Sequence, residues 1–141
     1  MRLHLHSQPT WSLRSFPAMI CGPVRSKPGG PVEKVVAAGG LKDGYPYGSY
    51  LSSTDIYYLA TDSWSKGTPL PMSLSRAAVI PYEATFLVVG GETGKGVYSD
   101  KVFLYETSGE WIEQPHMKLS EGKRNVVAML VPSSQFDDLF T

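Results

Sequence analysis

The sequence predicts an all-β fold built from a repeated sheet, and three observations carry that prediction. Glycine (14) and proline (11) punctuate the 141 residues densely enough to favour short strands and turns over helical bundles. The apolar runs, such as Phe86-Leu-Val-Val89, have the length of buried strands. A set of markers then recurs in the same order at a separation of about 50 residues, the signature of a repeat architecture.

Composition narrows the function classes. Hydrophobic residues are 42% of the chain and charged residues 18%, enough apolar material for a core and too little charge for a disordered chain. Thirteen basic residues balance thirteen acidic ones, so the footprint of a nucleic-acid binder or a polybasic membrane anchor is missing. The single cysteine, Cys21, forms no intrachain disulfide and no Cys-x-x-Cys zinc site; with no evident base partner, it is expected to be a small buried hydrophobe. No apolar run approaches the ~20 residues that span a bilayer. Residues 1–7 lack the apolar stretch of a cleavable signal peptide. The compartment stays open between cytoplasm and cell exterior.

Diglycines stand at Gly39-Gly40 and Gly90-Gly91, each closing an apolar run, Val35–Ala38 and Phe86–Val89. Arg25 and Arg76 each precede the first glycine by 14 residues. A loop follows each diglycine, then a β-rich segment, Asp55–Leu59 or Lys101–Tyr105, then Trp64 or Trp111. Tyr58 and Tyr105 each precede the tryptophan by six. Trp11 with Pro17 and Met19 extends the frame to the N-terminus, and residues 124–131 open a third copy. The division expected is 1–19, outer strands of a preceding partial unit; 20–72 and 73–117, two full repeats; and 118–141, the start of a third with a tail.

Alternation and turn chemistry resolve each repeat into four strands. In the second copy these are Ala77–Ile80, ending at Pro81, then Thr85–Val89, Lys101–Glu106 and Glu110–Gln114. In the first they are Ile20–Arg25, Lys34–Ala38, Asp55–Leu59 and Trp64–Gly67, with Gly22 and Pro23 making the innermost strand the poorest match.

Arg25, Gly39, Gly40, Tyr58 and Trp64, matched by Arg76, Gly90, Gly91, Tyr105 and Trp111, resemble the kelch repeat, whose unit is one four-stranded blade of a β-propeller. The resemblance covers residues 11–131 and implies that these markers hold blades together. It implies about three blades where propellers close with about four to eight. The chain would then be a fragment of a longer protein, half of a homodimer completing a six-bladed ring, or an unclosed domain held by another protein.

By the same resemblance the function is a non-enzymatic protein–protein interaction, with a partner bound through loops on one propeller face. The alternative is a fragment of a carbohydrate-active or redox propeller enzyme. The first diglycine loop offers Lys42, Asp43, Tyr45, Tyr47 and Tyr50, because tyrosine supplies contact area at little entropic cost. The second offers Lys95 and Tyr98. Arg25, Arg76 and Arg124 could bind an acidic peptide, but their recurrence in every repeat favours bonding to carbonyls or a carboxylate of a neighbouring blade.

No catalytic residue, metal or cofactor is expected. His4 and His6 would share a strand face but find no third ligand. Gly94-Lys95 is followed by Gly96 rather than the Ser or Thr and helix of a phosphate loop.

Overall fold

The structure, a computed structural model, describes residues 19–42 and 48–124. Trp11, His4, His6, Asp43, Tyr45, Tyr47, the strand expected at 126–131 and the tail lie outside the described residues. The fold is all-β, with two four-stranded antiparallel sheets as propeller-like blades.

In chain order the first sheet holds β1 (Ile20–Arg25), β2 (Val32–Ala38), β5 (Thr54–Tyr58) and β6 (Ser63–Lys66), neighbouring strands pairing in that order. The second holds β7 (Ala78–Tyr82), β8 (Thr85–Val89), β11 (Val102–Tyr105) and β12 (Trp111–Glu113) in the same meander. Between the second and third strands of each sheet, the chain after the diglycine forms a small ribbon. These are β3 (Leu41–Lys42) with β4 (Ser49–Tyr50), and β9 (Glu92–Gly94) with β10 (Val97–Tyr98). Sequence reading gave these segments only as loops, because two- and three-residue strands carry too little alternation to read.

The backbone repeats the same hydrogen bonds in both copies. Gly40 N donates to Leu74 O as Gly91 N donates to Lys123 O; Leu51 N reaches Gly40 O as Ser99 N reaches Gly91 O. Leu74 N then bonds Leu51 O as Lys123 N bonds Ser99 O, and Leu70 N bonds Ser52 O as Leu119 N bonds Asp100 O. Each segment leaving a sheet thus runs back across the diglycine of that sheet. A Cβ at Gly39, whose φ is 64°, would fall against the Leu74 carbonyl oxygen, so only glycine fits where the two backbones meet.

The sheets meet face to face over one core. Ile20, Val24, Val36, Ala38 and Ile56 from the first pack on Phe86, Val88, Phe103, Tyr105 and Trp111 from the second, with Leu70 and Leu74 of the connecting segment sealing the seam. Gly22 is the socket for the Phe86 ring, which fills the place a Cβ would take. The glycine that made β1 look interrupted is what lets the blades close together. Arg25 N also donates to Ala84 O across the seam at 2.7 Å.

The strand registers expose a row of side chains that both sheets share. Pro23, Val35, Tyr57 and Trp64 are cross-strand neighbours in the first sheet; Pro81, Phe86, Tyr105 and Trp111 are the same row in the second. This corrects one marker. Tyr57, not Tyr58, is the counterpart of Tyr105, and Tyr57 is 3% exposed where Tyr58 is 38% exposed. The connection before Trp64 is one residue longer than the one before Trp111, so a constant spacing of six lands on the opposite face of the strand.

A second correction concerns Arg25. It closes β1 at the hairpin end and donates to Gly30 O at 2.7 Å, whereas Arg76 lies just before β7 at the other end of an innermost strand. The six residues Ser26–Pro31 join β1 to β2, whereas Glu83-Ala84 alone joins β7 to β8. The shared distance of 14 residues to the diglycines is therefore a coincidence of unequal hairpins. Cys21 is a third correction: it is exposed, because β1 turns Ile20, Gly22 and Val24 to the core and the intervening residues the other way. Its surroundings still desolvate the thiol and raise its pKa, the reverse of activation.

Candidate functional site

The diglycine ends of the two sheets carry the ribbons, and one carboxylate ties the ribbons together. Glu92 follows Gly91 directly and is 1% exposed. Its backbone bonds Ser75 in both directions, Ser75 N to Glu92 O at 2.9 Å and Glu92 N to Ser75 O at 2.7 Å, which fixes it beside the segment joining the sheets. Oε1 accepts from the Tyr50 hydroxyl at 2.9 Å and from Gly96 N at 3.3 Å. Oε2 accepts from Arg76 Nη1 at 3.2 Å and Arg124 Nη1 at 3.3 Å.

Four donors reaching one buried carboxylate from four places in the chain make a pre-set electrostatic joint. Burial alone would raise the Glu92 pKa; the bonds from Tyr50, the Gly96 amide and Arg124 outweigh it and hold the carboxyl below its ordinary value. The Arg124 guanidinium lies 5.3 Å from the centre of the Tyr98 ring, within cation–π range.

The residues proposed from sequence divide. Tyr50 is half-buried with its hydroxyl committed to Glu92, so it joins the ribbons. Lys42 and Lys95 are exposed, and Tyr98 is 41% exposed beside Val97 at 58%. Asp43, Tyr45 and Tyr47 lie outside the described residues. Arg76 and Arg124 converge on the Glu92 carboxylate, which for Arg76 lies in its own repeat and not in a neighbouring blade, while Arg25 serves its own hairpin.

Glu92 itself was missed. Its counterpart after the other diglycine is Leu41, 2% exposed, and a glutamate at a repeat position that buries leucine is the signal that could have found it.

At the opposite end of the second sheet, an open cleft of about 330 Å³ lies among Tyr82, Glu83, Thr85, Leu104, Glu106 and Ser108. Thr85 there spends its hydroxyl on Tyr105 O at 2.7 Å. Among the described residues, no group of three His, Cys, Asp or Glu side chains is placed to hold a metal ion, and His116 is exposed on a short 3-10 turn (Pro115–Met117). The chain from Glu92 to Tyr98 is a ribbon, without the helix a phosphate loop needs.

No family model and no curated protein matches this chain. Among solved structures it is similar to that of YjhT, with 16% sequence identity and a TM-score of 0.52 over 64% of this chain and 35% of that one. At that identity the likeness speaks for the fold alone. The chain spans about a third of YjhT's length.

Proposed function

We propose that this chain is a run of kelch-type propeller blades acting as a non-enzymatic protein-interaction module, with the ribbon face as its binding surface. The supporting observation is the Glu92 joint, which locks both ribbons and the inter-sheet segment into one pre-set surface. Exposed around it are Val97 and Tyr98, with Lys42 and Lys95 at the ribbon rims. An aromatic, aliphatic and basic surface that loses little entropy on binding suits a protein segment carrying acidic and apolar side chains.

The test is selection of binders from a random peptide library on the full chain, followed by NMR mapping. Acidic–apolar peptides should shift Val97 and Tyr98, and Tyr98→Ala should weaken them by ~10-fold, the scale of an interface aromatic. Peptides that map elsewhere, or none at all, would overturn the reading. A saturable response to sugars, or copper retained by the purified chain, would turn it toward an enzyme fragment.

A further inference from the structure

We propose that the Tyr98 hydroxyl and the Arg124 guanidinium form a seat for one carboxylate of a bound protein segment, on the pattern by which Tyr50 and Arg76 hold Glu92. The proposal rests on the ribbon face as the binding surface and names the chemical group that face takes.

The two tyrosines hold equivalent places. Tyr50 pairs with Leu41 and Tyr98 with Glu92, the residues that directly follow the two diglycines. The next amide in each case closes on the diglycine, Leu51 N on Gly40 O at 3.0 Å and Ser99 N on Gly91 O at 2.7 Å. The two arginines lie on the segments that cross those diglycines. Arg76 is two residues past the Leu74 carbonyl that Gly40 bonds, and Arg124 directly follows the Lys123 carbonyl that Gly91 bonds.

What differs is the acceptor. The Tyr50 hydroxyl reaches forward to the residue after the next diglycine, Glu92 Oε1 at 2.9 Å, and Arg76 Nη1 donates to Oε2 at 3.2 Å. That carboxylate is 1% exposed, whereas Tyr98 is 41% exposed beside Val97 at 58%. The same kind of donor pair is thus sealed in one repeat and open in the other.

Both open donors are held in place. Arg124 Nη1 donates to Glu92 Oε2 at 3.3 Å while its guanidinium lies 5.3 Å from the Tyr98 ring centre. Gly122 packs so closely that a Cβ there would overlap the Tyr98 carbonyl oxygen. A carboxylate accepting from this hydroxyl beside the guanidinium makes a charge-assisted bond, about twice as strong as a neutral one. Val97 supplies apolar contact next to it.

The test uses the full chain and one acidic–apolar peptide selected on it from a random library, with a second peptide in which the acidic residue is replaced by its amide. On the wild type the amide peptide should bind about tenfold more weakly, the scale of one hydrogen bond to a charged group. On Tyr98→Phe, which keeps the ring and loses only the hydroxyl, the two peptides should bind alike, and Arg124→Gln should narrow the gap as well. An undiminished acid preference in Tyr98→Phe overturns the seat, and the ribbon face still stands if the peptide shifts Val97 by NMR. Peptides that map away from the ribbon face overturn that face as the binding surface, and the seat with it. A Tyr98 signal that moves in Asp137→Asn with Asp138→Asn, before any peptide is added, overturns the partner segment in favour of the chain's own carboxylates.

Discussion

Two sheets of the same plan sit differently in the molecule. Of the row Pro81–Phe86–Tyr105–Trp111, the three aromatic residues are sealed in the seam between the sheets and Pro81 is exposed, while Pro23–Val35–Tyr57–Trp64 faces outward from that seam. Three of the four residue types are identical, so the difference in burial comes from what each row packs against. Phe86 stands where Val35 does in the first row, and its ring is accommodated because Gly22 on the facing strand has no side chain. A repeated fold thus tunes each interface in pairs: a large residue on one blade and a glycine on the next.

The largest expected effect breaks this comparison at the tryptophans. Trp111→Ala should destabilise the fold by about 3–5 kcal/mol, because it empties a buried aromatic site and strands the Thr68 carbonyl. Trp64 is only half-buried, so Trp64→Ala should cost less, about 2 kcal/mol. Urea denaturation of the two variants measures both. Equal losses would mean that the rows are equally enclosed and the asymmetry between the sheets is wrong.

The next effect sharpens the comparison at the residue after each diglycine, Leu41 in one repeat and Glu92 in the other. Glu92→Leu copies the first repeat into the second but leaves Tyr50, Arg76 and Arg124 facing an apolar side chain. It should cost about 3 kcal/mol, the scale of breaking a buried charge pair from one side.

Protonation gives the same joint a pH signature. The folded pKa of Glu92 is depressed, so its stabilisation is fully present above the unfolded-state value near 4.3 and is lost as pH falls through the lower folded value. Glu92→Gln should therefore flatten the acid limb of Tm against pH below about pH 4.3 while leaving the neutral limb parallel to the wild type. An unchanged acid limb would show that the joint contributes nothing to stability.

How far the sequence carries follows from the spacings within the shared row. Between copies the row positions are separated by 58 (Pro23 to Pro81), 51 (Val35 to Phe86), 48 (Tyr57 to Tyr105) and 47 (Trp64 to Trp111) residues. The drift is the summed difference in hairpin length. Diglycines and tryptophans survive it, because each is recognisable by residue type alone, and so do the strands, which alternate around them. Tyr57 and Arg25 do not: a tyrosine neighbour and a coincident count of 14 each offered a plausible wrong frame. Glu92 stands out as a glutamate where the other repeat has Leu41, but its partners were illegible for another reason. Its role depends on Tyr50, Arg76 and Arg124 arriving from far along the chain, and only the folded ribbons bring them together.

The smallest effect separates two tyrosines that otherwise match. The Tyr57 hydroxyl donates to Asp62, whereas the Tyr105 hydroxyl is buried without a partner among the described residues. The cause lies two residues before each tryptophan. Asp62 and Gly109 hold equivalent positions there, both with positive φ (48° and 99°), and the glycine has no side chain to accept the bond. A Cβ built on Gly109 would lie 3.7 Å from the Tyr105 oxygen, so the space exists and the acceptor does not. Burial accordingly raises the Tyr105 pKa, with Tyr58 and Glu110 adding to it. Tyr57→Phe should thus cost about 1 kcal/mol, the net value of one hydrogen bond, while Tyr105→Phe should be neutral or slightly stabilising, because it removes an unsatisfied polar atom. Chemical denaturation of the two variants resolves this if their midpoints move apart. Similar losses at both would mean that the Tyr105 hydroxyl has found an acceptor and that the two hairpins are equivalent after all.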